Sequence, residues 1–297
     1  MNHTVLINPK SGNIFQRRKL KPLINMFKEQ RSYDVHVTQS KEHAQSIAKV
    51  AYKNGCRSFL IFGGDGTIFD TLNALYPKAF RDPPTFGLFP YGSGNSMTLD
   101  FAKTGKRTLE ALIAQEKMPC DVLELKTQKR SYYFANLVSL GYVADVARVR
   151  NRYFNWMGPL GYVLAVILTL PVMKPKAMTI IHDQDVLDKT WSFTSFNNTR
   201  FTGGKMMMAP HANPSDGKIA SLLVGPKSRS DILKAFPKIF TGTHTDLNQV
   251  AAMQAESIAF QDALAQPIVI DGEMCFETPL SITIHRHALS IYAFSIL

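Results

Sequence analysis

The stretch that most constrains the fold of this chain runs from Phe59 to Thr67, where an apolar run breaks into glycines around a single carboxylate. Residues 59–62 have the length and composition of a buried strand, and residues 67–76 continue as a helix-like segment. A glycine loop between a strand and a helix directs backbone N–H groups and the positive end of the helix dipole at one spot, which suits a phosphate. Asp65 lies inside this loop, where its negative charge would repel a phosphate. Its presence therefore predicts either a neighbouring cation or a role as a proton acceptor.

Length and charge bound the class of protein. The chain has 297 residues, enough for two domains that each bury a core. Its formal net charge is +11, which favours a nucleic acid, an anionic membrane surface or a phosphate-rich substrate as partner. Because the sequence has no stripe of interleaved aromatic and basic residues and no zinc-ligand spacing, we expect no nucleic-acid partner. The three cysteines lie far apart, which is typical of a protein from a reducing cytosol.

The apolar segments of the chain are short. The N-terminus has no apolar h-region, and the longest apolar stretch, residues 158–173, contains two prolines. This stretch is shorter than the roughly 20 residues that a spanning helix needs. We therefore expect neither a signal peptide nor a transmembrane helix.

The first 120 residues alternate between strand and helix patterns. Their segments predict strands at 5–8, 33–38, 59–62 and 85–89, and helices at 13–30, 41–53, 67–76 and 96–102. Such alternation argues an α/β domain with a Rossmann-like parallel sheet and helices on both faces. Ligands of these sheets bind beyond the carboxyl ends of the strands.

After about residue 120 the pattern becomes mainly that of short strands. A hairpin is predicted around Gln128-Lys129, from strands 122–126 and 132–139. Further strands are predicted at 178–182, 191–196, 205–209, 219–224, 250–261, 268–270, 281–284 and 289–294, and helices only at 146–170 and 230–240. We interpret this half as an antiparallel β-sandwich. The predicted domains are residues 1–125 and 126–297, with the last few C-terminal residues able to return to the first domain.

Three glycine loops leave strands of the predicted parallel sheet. They are Asn8-Pro9-Lys10-Ser11-Gly12, then Gly63-Gly64-Asp65-Gly66-Thr67, and then Pro90-Tyr91-Gly92-Ser93-Gly94-Asn95. Each loop alone is compatible with an ordinary turn. Because all three follow strands whose carboxyl ends share one edge of the sheet, together they predict a site for nucleotide phosphates.

The order of these motifs, followed by a late Asp271-Gly272-Glu273, resembles the diacylglycerol kinase catalytic-domain family. That family includes bacterial lipid kinases, ceramide kinases and sphingosine kinases. Ser139-Leu140-Gly141 with Ala144, and the segment 210–218, also match its second half, so the resemblance covers nearly the whole chain. The Gly-Gly-Asp-Gly core by itself is shared with NAD kinases and phosphofructokinases.

The resemblance implies phosphorylation of a lipid hydroxyl with ATP and Mg²⁺. Phosphoryl transfer depends on positioning and charge neutralisation, which fits a site built from loops. The residues that the resemblance places around the nucleotide are Asn8, Lys10, Ser11, Gly12, Thr38, Gly63, Gly64, Gly66, Thr67, Gly92, Ser93, Gly94 and Asn95. The family more often has Thr where Ser93 stands, and both residues offer a hydroxyl.

Two carboxylates compete for the role of general base, Asp65 and Glu273. A base must reach the attacking hydroxyl, whereas an acid beside phosphates can instead hold Mg²⁺. We favour Glu273 as the base and Asp65 as the organiser of Mg²⁺ and phosphate. Asp271 is either an acid linked to the nucleotide and its metal or a turn residue. Asp216 is either a hairpin-turn residue or, by the resemblance, part of a structural Mg²⁺ site.

The segment 141–147 resembles the lipid-site segment of sphingosine kinases. In those enzymes a second acid, two places beyond the first, recognises the substrate amine, and here Ala147 holds that place. This favours a neutral lipid such as diacylglycerol. The apolar segment 158–170 is either a buried helix or a lipid-facing wall, and Arg148, Arg150 and Arg152 are either a solvated face or a contact for anionic headgroups.

These features predict a cytoplasmic enzyme that works as a peripheral protein at an anionic inner membrane face. Its partners would be the nucleotide and the lipid substrate, and the interpretation also allows a homodimer. Three alternatives stay open from the sequence: a sphingosine or ceramide kinase, a soluble kinase of the NAD kinase type, and a non-catalytic nucleotide-binding module.

Overall fold

A computed structural model describes residues 3–12, 22, 24–25, 27–29, 31–92, 94–107, 116–154, 157, 159–248, 250–292 and 294–295. Most of the helix predicted at 13–30 therefore lies outside the described residues, as does Ser93 of the third glycine loop. The chain forms two compact units, residues 1–120 with 287–297, and residues 121–286. The sequence placed the boundary after residue 125 and left the return of the C-terminus open.

The described strands and helices follow in chain order. They are β1 (His3–Ile7), β2 (Tyr33–Val37), α1 (Lys41–Lys53), β3 (Ser58–Gly63), α2 (Asp65–Leu75), β4 (Thr85–Pro90), β5 (Ala102–Arg107), β6 (Lys117–Thr127), β7 (Ser131–Phe134), β8 (Leu137–Gly141), α3 (Tyr142–Tyr153), α4 (Pro159–Thr169), β9 (Lys176–His182), β10 (Asp185–Trp191), β11 (Phe193–Asn197), β12 (Phe201–Thr202), β13 (Met206–Met207), β14 (Ile219–Val224), α5 (Arg229–Ala235), β15 (Val250–Ala255), β16 (Ser257–Gln261), β17 (Gln266–Ile270), β18 (Glu273–Glu277), β19 (Pro279–Tyr292) and β20 (Phe294–Ser295).

Short 3-10 turns complete the description. They are Lys78–Arg81, Met97–Asp100, Leu170–Val172, Phe236–Phe240 and Thr243–Asp246. Among the residues that the structure describes, no helix is long and apolar enough to cross a membrane.

The first unit is built on a parallel sheet in the order β4-β3-β1-β2, and the end of β19 adds to β4 in the same direction. β1 and β3 are buried along their whole length, as expected of central strands in a parallel sheet. From β1 the chain moves to one side for β2 and to the other for β3 and β4. The strand order therefore reverses between β1 and β3, and such a reversal is where doubly wound sheets bind ligands.

Local signals account for the helices of this unit. The side chain of Ser40 accepts a hydrogen bond from the backbone N–H of His43, which caps α1 at the predicted start.

The helix predicted at 96–102 is wrong beyond one turn, because only Met97–Asp100 is helical and the chain continues as β5 from Ala102. β5 pairs with β20, so pairing with a strand far along the sequence overrides the local preference.

The second unit is built mainly on two antiparallel sheets, besides the short β12–β13 pair. One has the order β15-β14-β11-β8-β17-β18, and the other joins β10, β9, β16 and the first residues of β19. Side chains of the two sheets meet, since the Phe196 and Phe260 rings pack edge to face with centroids 5.5 Å apart. The His182 ring also lies 3.2 Å from the hydroxyl of Ser221 on the other sheet. The predicted fold class, a parallel α/β unit followed by an antiparallel β-sandwich, is confirmed.

Two predicted strands of this unit are interrupted. The strand predicted at 132–139 breaks at Ala135-Asn136, and the one predicted at 250–261 breaks at Glu256. A carboxylate binds the freed backbone N–H groups at each break: Asp271 at the first and Asp183 at the second. The strands predicted at 281–284 and 289–294 are instead one long strand as far as Tyr292, and the helix predicted at 146–170 is the pair α3 and α4.

Candidate functional site

The loop after β1 is tied to the loop after β3. The backbone N–H of Asn8 donates to the carbonyl of Phe62 at 2.9 Å, and its side-chain amide donates to the hydroxyl of Thr67 at 3.2 Å. The Asn8 side-chain oxygen accepts from the N–H of Lys10 at 3.0 Å, which turns the chain and leaves Lys10 exposed to solvent. Ser11 and Gly12 follow, half-buried, with Gly12 in the left-handed region at φ 74°.

The loop after β3 requires its first two glycines for packing. A Cβ on Gly63 would lie 2.4 Å from the Thr67 hydroxyl oxygen, and a Cβ on Gly64 would lie 2.9 Å from the Cα of Gly92. Gly64 is also the N-cap of α2, so Asp65, Gly66 and the buried Thr67 form the first turn of that helix. The loops after β3 and β4 are therefore in direct backbone contact.

The loop after β4 is held by the side chain of Asn95, whose backbone is left-handed at φ 52°. Its amide oxygen accepts from the N–H of Gly92 at 2.8 Å, and its NH₂ group donates to the carbonyls of Gly92 and Pro90 at 2.7 and 3.2 Å. Gly94 belongs to the same loop. The structure gives Asn95 a role in shaping this loop, and its contact with a nucleotide stays a prediction.

Asp65 joins two of the loops. Its carboxylate oxygens accept from the backbone N–H groups of Ser96 and Met97 at 3.1 and 3.4 Å, which caps the 3-10 turn after β4. Removal from water raises the pKa of the Asp65 carboxyl, and the two N–H groups offset part of this rise. Asp65 thus stands at the N-terminus of α2 and in contact with the third loop.

Thr38 completes the cluster in the first unit. It is buried at the end of β2, and both its backbone N–H and its hydroxyl donate to the carbonyl of Ile7, at 2.8 and 3.1 Å. The sequence-predicted residues of this unit that the structure describes therefore gather at the carboxyl ends of β1, β2, β3 and β4, beside the reversal of strand order. This edge can present backbone N–H groups and one carboxylate to a phosphorylated ligand.

The predicted residues of the second unit lie on a hairpin. Asp271 and Gly272 both have positive φ, 47° and 89°, and connect β17 to β18 in a two-residue turn. The buried carboxylate of Asp271 accepts from the N–H groups of Ala135, Asn136 and Leu137 at 3.2, 3.2 and 2.8 Å. Glu273 begins β18 and is exposed. An Asp-Gly turn flanked by apolar runs is a hairpin signal that could have predicted β18.

Asp216 lies in a turn that binds a buried acid. Its own carboxylate accepts from the N–H of Lys218 at 2.9 Å, as in a hairpin-turn residue. The N–H of the next residue, Gly217, donates to the carboxylate of the fully buried Asp121 at 2.8 Å. The sequence did not single out Asp121, which carries no local signal on β6. Across the part of the chain that is described, no three His, Cys, Asp or Glu side chains group as metal ligands.

The second unit also holds an apolar pocket of about 600 Å³ that the sequence did not predict as such. This volume is in the range of small-molecule sites. Its wall includes apolar and aromatic residues from α3, α4, β11 and the segment 232–239, whereas the polar part of the lining includes three lysines and one buried histidine. These residues are Tyr142, Val146, Tyr162, Val166, Phe193, Met206, Met208, Val224, Ile232, Phe236, Ile239, Lys227, Lys234, Lys238 and His244.

Comparison with known sequences identifies both halves of the chain. Residues 2–125 match the diacylglycerol kinase catalytic domain, and residues 136–293 match the YegS C-terminal NAD kinase beta sandwich-like domain. This chain belongs to the diacylglycerol kinase catalytic-domain family. The family assignment confirms the resemblance that the motifs indicated.

Individual relatives agree with this assignment. A Mycobacterium tuberculosis protein named diacylglycerol kinase is 25% identical over 296 residues, which cover 97% of this chain and 94% of that protein. Staphylococcus aureus proteins provisionally named as lipid kinases are 25% identical over 258 residues, covering 84% of this chain and 81% of theirs. A crystal structure of a Bacillus anthracis diacylglycerol kinase superposes with a TM-score of 0.71 over 98% of this chain and 96% of that one, at 17% identity. The superposition shows that this chain and the Bacillus anthracis protein share a fold.

Proposed function

We propose that this member of the lipid kinase family transfers the terminal phosphoryl group of ATP to the hydroxyl of a neutral lipid, diacylglycerol or a close relative. The observation that carries the proposal is the contact of the loops after β1, β3 and β4 beside the reversal of strand order. Gly64 and Gly92 approach so closely there that side chains are excluded. Backbone N–H groups can then reach the phosphates directly.

Asp65 fits the role of the residue that organises a divalent cation. Mg²⁺ is usually held by one or two protein carboxylates together with substrate phosphates and waters, so a single acid at a phosphate site is sufficient. Two backbone N–H groups already orient the Asp65 carboxylate, and they leave acceptor positions on its oxygens. A bound Mg²⁺ would neutralise charge on the phosphates, and Lys10 of the first loop would add a second positive charge.

Glu273 is our candidate for the general base. It is exposed at the start of β18, whereas the neighbouring Asp271 is buried and bound by three backbone N–H groups. An exposed carboxylate can accept a proton from a substrate hydroxyl. Asp271 supports this role because it fixes the turn that carries Glu273. Asp271 therefore has a structural role in addition to any contact with the nucleotide.

The apolar pocket of the second unit supports a lipid as acceptor. Its wall is dominated by apolar and aromatic side chains, which suit a hydrocarbon chain, and its lysines suit an oxygen-rich headgroup. The sphingosine alternative needs an acid to pair with the substrate amine. At the positions that the resemblance assigns to this role, the Asp145 carboxylate is bound by Arg148 at 2.9 Å, and Ala147 replaces the second acid. These two positions favour a neutral lipid, although the lining of the pocket does include one acid, Asp231.

Phosphorylation assays would test the proposal. The full chain is incubated with radiolabelled ATP, Mg²⁺ and mixed micelles that contain diacylglycerol, ceramide or sphingosine. We expect a phosphorylated product with diacylglycerol, and a loss of at least about 100-fold in Asp65→Asn and in Glu273→Gln. Asp262→Asn is the matched control, because this exposed residue has a left-handed backbone that Asn tolerates.

Other outcomes would identify the alternatives. A product with ceramide or sphingosine alone would point to a sphingolipid kinase. Turnover of a water-soluble acceptor without any lipid product would indicate a kinase of the NAD kinase type. Binding of ATP and Mg²⁺ in calorimetry without turnover of any acceptor would point to a non-catalytic nucleotide-binding module. No binding at all would reject the nucleotide site itself.

A further inference from the structure

Helix α4 and the turn after it have an apolar surface that is exposed to solvent. No charged residue occurs between residues 159 and 173. One side of the helix is packed into the second unit, where Ala165, Val166 and Leu170 are at most 6% exposed. The opposite side carries Leu160, Ile167, Leu168 and Val172, which are 65, 51, 58 and 66% exposed. We call these four residues the outer face of α4.

The outer face is a contiguous patch rather than a scatter of single residues. Positions 160, 167 and 168 are seven and eight residues apart, a spacing that places them on one side of a helix. Single exposed apolar residues are common on protein surfaces, but a patch of this kind marks a surface that contacts another phase or molecule. An ordinary surface helix has an apolar side facing the core and a polar side facing solvent. In α4 both the packed side and the exposed side are apolar.

The surroundings of the outer face are basic. Residues 146–182 contain five Arg and Lys residues and no Asp or Glu. Two of the five do not border the patch with free charge, because Arg150 is buried and Arg148 pairs with Asp145. Lys174 and Lys176 are exposed directly after the patch, and the guanidinium of Arg229 donates to the carbonyl of Pro171 at 2.6 Å. Arg229 is thereby fixed at the C-terminal end of α4. Just before the helix, Tyr153 is 57% exposed, with the Arg152 guanidinium over its ring.

An apolar patch with a basic and aromatic border matches the interface of an anionic bilayer. Apolar side chains enter the boundary between headgroups and acyl chains, while Lys, Arg and Tyr remain at the headgroup level. A second copy of this chain fits less well, because a two-fold contact would bring the same basic border against itself. Charge complementarity therefore favours a membrane surface.

We propose that the outer face of α4 inserts into the surface of an anionic bilayer, with Lys174, Lys176 and Arg229 in contact with the headgroups. This inference rests on the proposed lipid kinase function, because it describes how the substrate-containing membrane is reached. Tyr162 and Val166 on the packed side of the same helix line the apolar pocket. α4 thus lies between the proposed membrane surface and the pocket, within the second unit.

Vesicle sedimentation would test the docking surface. The full chain is mixed with vesicles of phosphatidylcholine alone or with 30 mol % phosphatidylglycerol, about the composition needed for a strong surface charge. We expect binding to the anionic vesicles, and binding at least about ten-fold weaker for Ile167→Gln/Leu168→Gln. The matched control is Val186→Gln/Leu264→Gln, which changes two residues that are 63 and 80% exposed elsewhere on the same unit. Lys174→Gln/Lys176→Gln should weaken binding and reduce its dependence on salt.

Readouts besides binding separate this inference from the proposed function. We expect Ile167→Gln/Leu168→Gln to keep its thermal unfolding profile and its activity on a short-chain, water-dispersed diacylglycerol, and to lose activity on vesicles. Unchanged vesicle binding in this variant would overturn the docking surface, even if the kinase activity is intact. A concentration-dependent dimer that this variant dissociates, without an effect on vesicles, would overturn it in favour of a second copy. The unmodified chain could also bind vesicles but phosphorylate no lipid. If Ile167→Gln/Leu168→Gln then lost vesicle binding, the docking surface would be supported and only the kinase proposal would be rejected.

Discussion

At the scale of single residues, the glycines of the nucleotide loops differ in why they are needed. Neither Gly64 nor Gly92 is in the left-handed region, so the backbone conformation alone would allow any residue at these positions. Glycine is needed there because the two backbones are in contact. A Cβ on Gly92 would lie 2.4 Å from the Cα of Gly64 and 2.7 Å from the Asn95 amide oxygen. Gly55 is the opposite case, with φ 91° and open space around it.

We predict that Gly92→Ala separates the loops after β3 and β4 and reduces lipid phosphorylation by at least about ten-fold, because displaced phosphate contacts weaken transition-state binding. Gly55→Ala is the control: its left-handed backbone should cost about 1 kcal/mol of stability and leave turnover per folded molecule unchanged. Kinetics and urea unfolding of both variants would show this. Equal activity of the two variants would mean that the close approach of the loops does not matter for catalysis.

At the scale of elements, the β17–β18 hairpin combines a structural acid with an exposed one. Asp271 binds three backbone N–H groups where β7 ends and β8 begins, and so holds this hairpin to its neighbour. Glu273, two residues later, begins β18 and is exposed. The hairpin therefore fixes the direction in which Glu273 leaves the sheet.

We predict that Asp271→Ala and Glu273→Gln separate stability from catalysis. Asp271→Ala leaves three buried N–H groups without their acceptor and should cost about 3 kcal/mol in the free energy of unfolding. Glu273→Gln should change stability by less than about 0.5 kcal/mol while turnover falls at least about 100-fold. Urea titrations and steady-state kinetics measure both quantities. A stable but inactive Asp271→Ala would instead assign Asp271 to the nucleotide or its metal.

At the scale of the whole molecule, three histidines are buried in different parts of the chain. Burial lowers the pKa of His3, His182 and His244. The ring of each lies within hydrogen-bond distance of an uncharged group: the hydroxyls of Ser58 and Ser221 and the carbonyl of Met208, respectively. Because the native state binds protons on these rings more weakly than the unfolded chain does, their contribution to stability is present above the ordinary histidine pKa of about 6.5 and is lost as the pH falls below it.

We predict that the free energy of unfolding declines between about pH 6.5 and pH 5, by about 1.4 kcal/mol per pH unit for each histidine that stays neutral in the native state. Urea unfolding at several pH values would give the slope. In His182→Gln, the change in the free energy of unfolding per pH unit should be smaller by the amount that corresponds to one proton. The reason is that Gln can still hydrogen-bond to Ser221 but does not titrate. An unchanged slope in this variant would mean that His182 is protonated in the folded protein.

The sequence by itself determined the strand–helix alternation of the first unit, the antiparallel character of the second and the three glycine loops. α1 was predicted to the residue because its apolar period is a local signal. The loops were found because glycines and a lone acid next to a strand are visible in a few neighbouring positions. The order of the motifs along the chain was enough to indicate the family.

Only the tertiary structure decided what those residues touch. It brought Asp65 to the N–H groups of Ser96 and Met97, thirty-one and thirty-two residues later, and Asp271 to a strand break more than 130 residues earlier. It also formed the apolar pocket and left one side of α4 exposed. Such features join positions far apart in the chain, so they depend on how the sheets bring strands together, and no local pattern of residue types encodes that arrangement.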